Sequence, residues 1–191
     1  MRAIALAALV AGIGAASAGP ARAEEAFVTN QLSENLSVVD LATARPVATI
    51  AIAGKPAGIA VTPDGRFAYV TSPDTKALTV VDAAARRIVG KIDVGGGPLG
   101  VAVAPDGATV YVADWYAAAV RVIDPQAQRV IADIAVGASP SGLAVTSDGS
   151  LYTAEVCETF TSAGQPAVSN VGFLRTRRHH EDMALRVSSA P

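Results

Sequence analysis

The sequence predicts an all-β fold built from one repeated four-stranded antiparallel unit, and three observations predict it. First, markers recur at a fixed interval: Asp64-Gly65, Asp106-Gly107 and Asp148-Gly149 stand 42 residues apart, as do Asp40, Asp82 and Asp124, then Pro56, Pro98 and Pro140, and Gly58, Gly100 and Gly142. Second, the stretches between markers are short runs rich in Val, Ile and Tyr, broken by Gly, Pro and Asp, with no sustained helical apolar spacing. Third, 51% of the chain is hydrophobic and only 17% charged, a composition suited to strands and turns packed on one another. A period of about 40–45 residues carrying four strands is what one blade of a β-propeller requires.

The amino end is read differently. Arg2 precedes an apolar stretch from Ala3 to about Ala16, and two small-x-small sites follow, Ala16-Ser17-Ala18 and Ala21-Arg22-Ala23. This is the layout of a secretory signal peptide over residues 1–23, with cleavage expected after Ala23 and a periplasmic or secreted destination. The apolar run falls short of the roughly 20 residues of a membrane span, so no span is expected. Loss of Arg2 and Arg22 takes Lys plus Arg from 15 to 13 against 17 acidic residues, a net charge of −4. That balance speaks against a nucleic-acid partner, which calls for a basic footprint. Cys157 is the only cysteine, which excludes an intrachain disulfide.

Residues 24–155 carry the repeats. In the best-defined period, strands are expected at "GIAVTP" (58–63), "RFAYVTS" (66–72), "ALTVVD" (77–82) and "RIVGKIDV" (87–94). Each marker has a mechanical role. The Asp-Gly pairs (Asp64 and Gly65, Asp106 and Gly107, Asp148 and Gly149) supply the left-handed backbone of a tight hairpin between first and second strands. Asp40, Asp82 and Asp124 end the third strand, where a short carboxylate can accept backbone N–H bonds from the next turn. Gly58, Gly100 and Gly142 open the innermost strand, where blades converge and a side chain is not expected to fit.

The motifs in this order resemble the YVTN-repeat β-propellers. "FVTN" (27–30), "YVTS" (69–72) and "YVAD" (111–114) are each followed by a "SVVD", "TVVD" or "RVID" strand and an "IAVG"-like strand. A turn and "GIAVTPDG", "GVAVAPDG" or "GLAVTSDG" complete the unit. The resemblance covers residues 26 to about 154. It implies an exported bacterial propeller, from a family in which many members bind a partner or ligand without being enzymes. It also implies that some relatives accompany pyrroloquinoline-quinone-dependent oxidation of alcohols or amines.

The chain departs from that pattern at both ends. The first repeat enters at its second strand, and the last two strands expected are "GLAVTS" and a shortened "SLYTAE", for 13 strands in all: an incomplete ring of about three blades and part of a fourth. Open blade faces expose more apolar surface than a soluble monomer usually tolerates, so either copies of the chain associate to complete a ring or the chain is a truncated product. Residues 156–191 lose the period and read as a weakly ordered tail.

Candidate sites are few. His179 and His180 beside Glu181 and Asp182 are adjacent rather than spaced, which does not suit a metal site. Cys157 has no histidine or basic partner nearby in the sequence to activate it. Histidine is absent from the repeats and no Cys-x-x-Cys-His occurs, so neither metal nor cofactor is expected and no catalytic residue is assigned. The one binding candidate is "ADWYAAA" (113–119), where Trp115 and Tyr116 replace the polar loops "NQLSEN" and "SPDTKA" of the other repeats. With Asp114, Lys55 and Asn30 they fall on the loop face where propellers commonly bind partners, and aromatic side chains suit a recognition anchor. Packing of Trp115 against the adjacent blade is the competing reading. The function expected is a non-catalytic propeller binding a protein or small molecule through this face. The alternative is part of a propeller enzyme or enzyme subunit, lactonase-like or associated with quinone-dependent dehydrogenases.

Overall fold

The computed structural model describes residues 24–155, 171–175 and 186–188. The predicted signal peptide, Cys157, His179 and His180 lie outside these residues. Strands β1 (Glu25–Asn30), β2 (Asn35–Asp40) and β3 (Arg45–Ala51) form a three-stranded sheet. Strands β4 (Ile59–Val61), β5 (Phe67–Ser72), β6 (Ala77–Asp82) and β7 (Arg87–Asp93) form the second. The third holds β8 (Pro98–Val103), β9 (Val110–Asp114), β10 (Ala119–Asp124) and β11 (Arg129–Ala135). The fourth holds β12 (Pro140–Val145), β13 (Leu151–Glu155), β14 (Val171–Arg175) and β15 (Arg186–Ser188). Every sheet is an antiparallel meander, and together they make an incomplete β-propeller with the innermost strands β4, β8 and β12 beside one another.

The strand count corrects the sequence expectation of 13: the described residues hold 15, because β14 pairs with β13 and β15 with β14 to give the fourth sheet four strands. Neither added strand carries a marker of the 42-residue period, so the repeat pattern has nothing by which to find them.

Burial explains the texture of the strands. The middle strands of a blade are covered on both faces by neighbouring blades, and β5, β6 and β9 are buried almost throughout. They therefore read as continuous apolar runs and not as alternating ones. One face of the second sheet (Ala68, Val70, Val81) packs on Leu36, Val38, Ile50 and Ile52 of the first sheet and the linker after it. Its other face (Tyr69, Leu78, Val80, Ile92) packs on Val101, Val110, Val112 and Ile123 of the third. A similar cluster, Tyr111, Val120, Val122 and Ile134 against Leu151, joins the third sheet to the fourth. The outermost strands β3, β7 and β11 are mostly exposed and leave Val47, Val89 and Ile131 at 45%, 38% and 50% exposure, again at the period of the repeat.

The turns use the markers locally. Gly65, Gly107 and Gly149 adopt φ of 68°, 71° and 82°, and the carboxylates of Asp64, Asp106 and Asp148 accept the amides of Arg66, Ala108 and Ser150. Asp40, Asp82 and Asp124 accept the amides of Thr43, Ala85 and Ala127 at 2.8–2.9 Å.

Adjacent blades are also joined by hydrogen bonds. The Thr29 hydroxyl donates to the Ala57 carbonyl at 2.8 Å, and the Thr71 hydroxyl donates to the Leu99 carbonyl at 2.6 Å, one period later. This is the work of the threonine in "FVTN" and "YVTS": a second-strand hydroxyl held to the backbone at the start of the innermost strand of the next blade. A Cβ on Gly58 would collide with that same Leu99 carbonyl, and one on Gly100 would collide with the Ser141 carbonyl. Gly142 differs from the expectation, since a Cβ there would meet only the Ala154 Cβ, at an ordinary 3.5 Å.

Candidate functional site

The loops between second and third strands of each blade, residues 31–34, 73–76 and 115–118, are four-residue turns whose last member (Glu34, Lys76, Ala118) is left-handed at φ 49°, 53° and 50°. The second and third of these loops lie against the linkers entering the innermost strands of their own blades: the Asp74 amide donates to the Gly54 carbonyl and the Trp115 amide to the Gly97 carbonyl. Acidic side chains of blades one, three and four also reach such linkers, that of blade one the linker into blade two and those of blades three and four the linkers into their own blades. Glu34 accepts the amide of Gly54, Asp114 that of Gly97, and Glu155 that of Gly137.

The third blade elaborates this clamp. Asp114, 1% exposed, accepts the Gly97, Tyr116 and Ala117 amides at 3.0–3.2 Å and the Arg121 guanidinium at 2.8 and 3.1 Å. Arg121 also reaches Asp133 at 2.6 Å. Burial opposes the charge on Asp114, but the Gly97 amide and the Arg121 guanidinium outweigh it and hold the carboxyl below its ordinary value. Burial likewise opposes the Arg121 charge and is overcome by its two carboxylates. The run Gly95-Gly96-Gly97 follows from this packing. A Cβ on Gly96 would occupy the Asp114 carboxylate, and one on Gly97 would stand 2.6 Å from the Tyr116 ring.

The clamp fixes the aromatic loop. Trp115 is half-buried and Tyr116 is 82% exposed, and with Pro73, Gly97 and Leu99 they line a shallow hollow of about 190 Å³ between the second and third blades. Trp115 faces Pro73 of the preceding blade across the hollow and is one of its walls. Lys55 and Asn30 are not among the walls. Lys55 pairs with Asp74 at 2.9 Å, which raises its pKa, and both side chains are about half exposed. The Asn30 amide donates to Asn35 Oδ1 and Ser37 Oγ in its own blade.

Several residues of this face were not singled out in the sequence. Arg121 and Asp133 stand where the earlier repeats have Ser37 and Thr79, and Thr49 and Lys91. Their appearance in the same repeat as Asp114 was the available signal. Leu32, 95% exposed, occupies in the first blade the repeat position of Tyr116. Among the described residues no group of three or more His, Cys, Asp or Glu side chains could hold a metal ion, and no helix is long and apolar enough to cross a membrane.

Four-stranded antiparallel blades repeated around inner strands define the class as a β-propeller. The sequence model for the YNCE-like beta-propeller family matches residues 6–103, just over half of the chain, and the chain belongs to that family. No curated protein matches it. Among solved structures it is similar to hydrazine synthase of Kuenenia stuttgartiensis, with a TM-score of 0.69 and 28% identity over 78% of this chain and 42% of that one. It is also similar to the dihydro-heme d1 dehydrogenase NirN, solved in complex with DHE, with a TM-score of 0.65 and 16% identity over 85% of this chain and 34% of that one. The likeness to NirN is one of fold alone. The chain spans less than half the length of either protein.

Proposed function

We propose that this chain is an exported, non-catalytic YVTN-type propeller that binds a protein partner through the face carrying the loops between second and third strands. One observation carries the reading. Among the described residues, the two most exposed large hydrophobic side chains, Leu32 at 95% and Tyr116 at 82%, occupy the same repeat position two periods apart, so both stand on this one face. Scattered exposed apolar residues need no explanation, but two on equivalent loop tips, one of them on a loop clamped by a buried carboxylate, suit a recognition surface. The leader-like amino end supports export.

The likeness to hydrazine synthase favours a second reading, in which the propeller is a module of a larger enzyme and the chemistry belongs to other parts. The same loop face would then dock against those parts.

A photoreactive amino acid placed at Tyr116, and separately at Ile131 on the outermost strand, tests the proposal in the producing cell. A discrete crosslinked partner from position 116 and none from 131 is expected. Crosslinking from 131 alone would place the partner on the rim and overturn it.

A further inference from the structure

We infer that the hollow between the second and third blades is a socket for one uncharged apolar side chain, of leucine or proline type, presented by a partner polypeptide. The inference rests on the loop-face reading above and adds the chemistry of what is bound. Its first support is size. At about 190 Å³ the hollow is smaller than the roughly 300–1,000 Å³ of pockets that enclose cofactors and drug-sized molecules, and it suits a single side chain.

The walls supply the second support. Pro73, Gly97, Leu99, Trp115 and Tyr116 bring no charge, and their side chains offer only the indole N–H and the phenol hydroxyl as polar groups. The carboxylates directly beside the walls are already paired, Asp74 with Lys55 and Asp114 with Arg121. A charged ligand would find no counter-ion among the wall residues, and a sugar would find two side-chain groups for its several hydroxyls. An apolar side chain loses nothing on entering.

Rigidity is the third. The Leu99 carbonyl is held by Thr71, and the Trp115–Tyr116 loop is held by Asp114 and by the packing of the Tyr116 ring on Gly97. A socket fixed before binding avoids the ordering cost that weakens small contacts. The occupant is a polypeptide and not a free apolar molecule because a second apolar tip, Leu32, stands two blades away on the same face, where only a macromolecular surface could engage both.

The test uses the purified full chain and the tripeptide amides acetyl-Ala-X-Ala-amide with X as Leu, Pro, Gly, Lys or Glu, together with glucose. Binding is followed by saturation-transfer NMR on the probe and by the fluorescence of Trp115, the sole tryptophan. The Leu or Pro peptide should bind saturably and at least about tenfold tighter than the Gly peptide, the gain expected from burying one apolar side chain. Lys and Glu peptides should do no better than Gly, and Tyr116→Ala, a change at an exposed position, should remove the preference. Equal binding of all peptides, preference for a charged one, saturation by glucose alone, or no saturable binding would overturn the inference. Crosslinking at position 116 with no apolar preference would leave the loop-face reading standing and sink only the socket.

Discussion

The hydroxyl of Thr71 donates a 2.6 Å hydrogen bond to the carbonyl of Leu99 while accepting the amide of Gly58 at 2.8 Å, so one buried side chain joins two consecutive blades. Replacing the hydroxyl by a methyl group keeps the shape and orphans two backbone groups. Thr71→Val should therefore cost about 1–3 kcal/mol in chemical denaturation, while Thr29→Val, which breaks a single partly buried bond, should cost about 1 kcal/mol or less. Equal stability of Thr71→Val and the parent would refute the joining role.

The same seam gives a contrast between two glycines at one repeat position. Gly58→Ala forces a Cβ into the Leu99 carbonyl, a backbone atom that cannot swing aside, and should destabilise by about 1–3 kcal/mol. Gly142→Ala meets only an ordinary contact and should stay within about 0.5 kcal/mol of the parent. Thermal unfolding of the two variants side by side measures this, and similar midpoints would contradict it.

Acid should release the aromatic loop. The folded pKa of Asp114 lies below its ordinary 3.8, so its stabilising contribution is complete above that value and is lost as pH falls through the lower native one. Trp115 fluorescence should accordingly be flat above about pH 5 and change at strongly acid pH. Asp114→Asn should abolish that step and cost about 2–4 kcal/mol at neutral pH, because Arg121 and three amides lose a charged acceptor. An unchanged acid step in Asp114→Asn would assign it elsewhere.

Backbone strain offers a stabilising change. Ala44 sits exposed in the left-handed region at φ 52°, where a Cβ is disfavoured and Asn or Gly is tolerated. Ala44→Gly should raise stability by about 0.5–1 kcal/mol despite the looser unfolded chain. A lowered melting temperature would contradict the assignment.

The blades were legible in the sequence because every one-residue feature that builds them recurs: the glycine that turns a hairpin, the aspartate that closes the next turn, the threonine that reaches the following blade. What lacked repetition stayed hidden. Strands β14 and β15 share no marker with the other blades, so only pairing with β13 reveals them. The loop face was half legible. Trp115 and Tyr116 stood out as aromatic where other repeats are polar, but Arg121 and Asp133 lie 7 and 19 residues beyond Asp114, and Arg121 comes to bridge the two carboxylates only through the pairing of β9, β10 and β11. Pro73 and Leu99 become walls of the hollow only because two blades meet there. Asn30 and Lys55 share the loop face by repeat position, yet their partners are Asn35, Ser37 and Asp74, and neither lines the hollow.

Binding measurements with the partner captured through position 116 test the loop face most directly. Its affinity should fall at least about tenfold for Tyr116→Ala and severalfold for Leu32→Ala, the pattern of a central anchor and a secondary contact. Val89→Ala and Ile131→Ala on the rim should leave it unchanged. Loss of binding on the rim with Tyr116→Ala and Leu32→Ala silent would contradict the account.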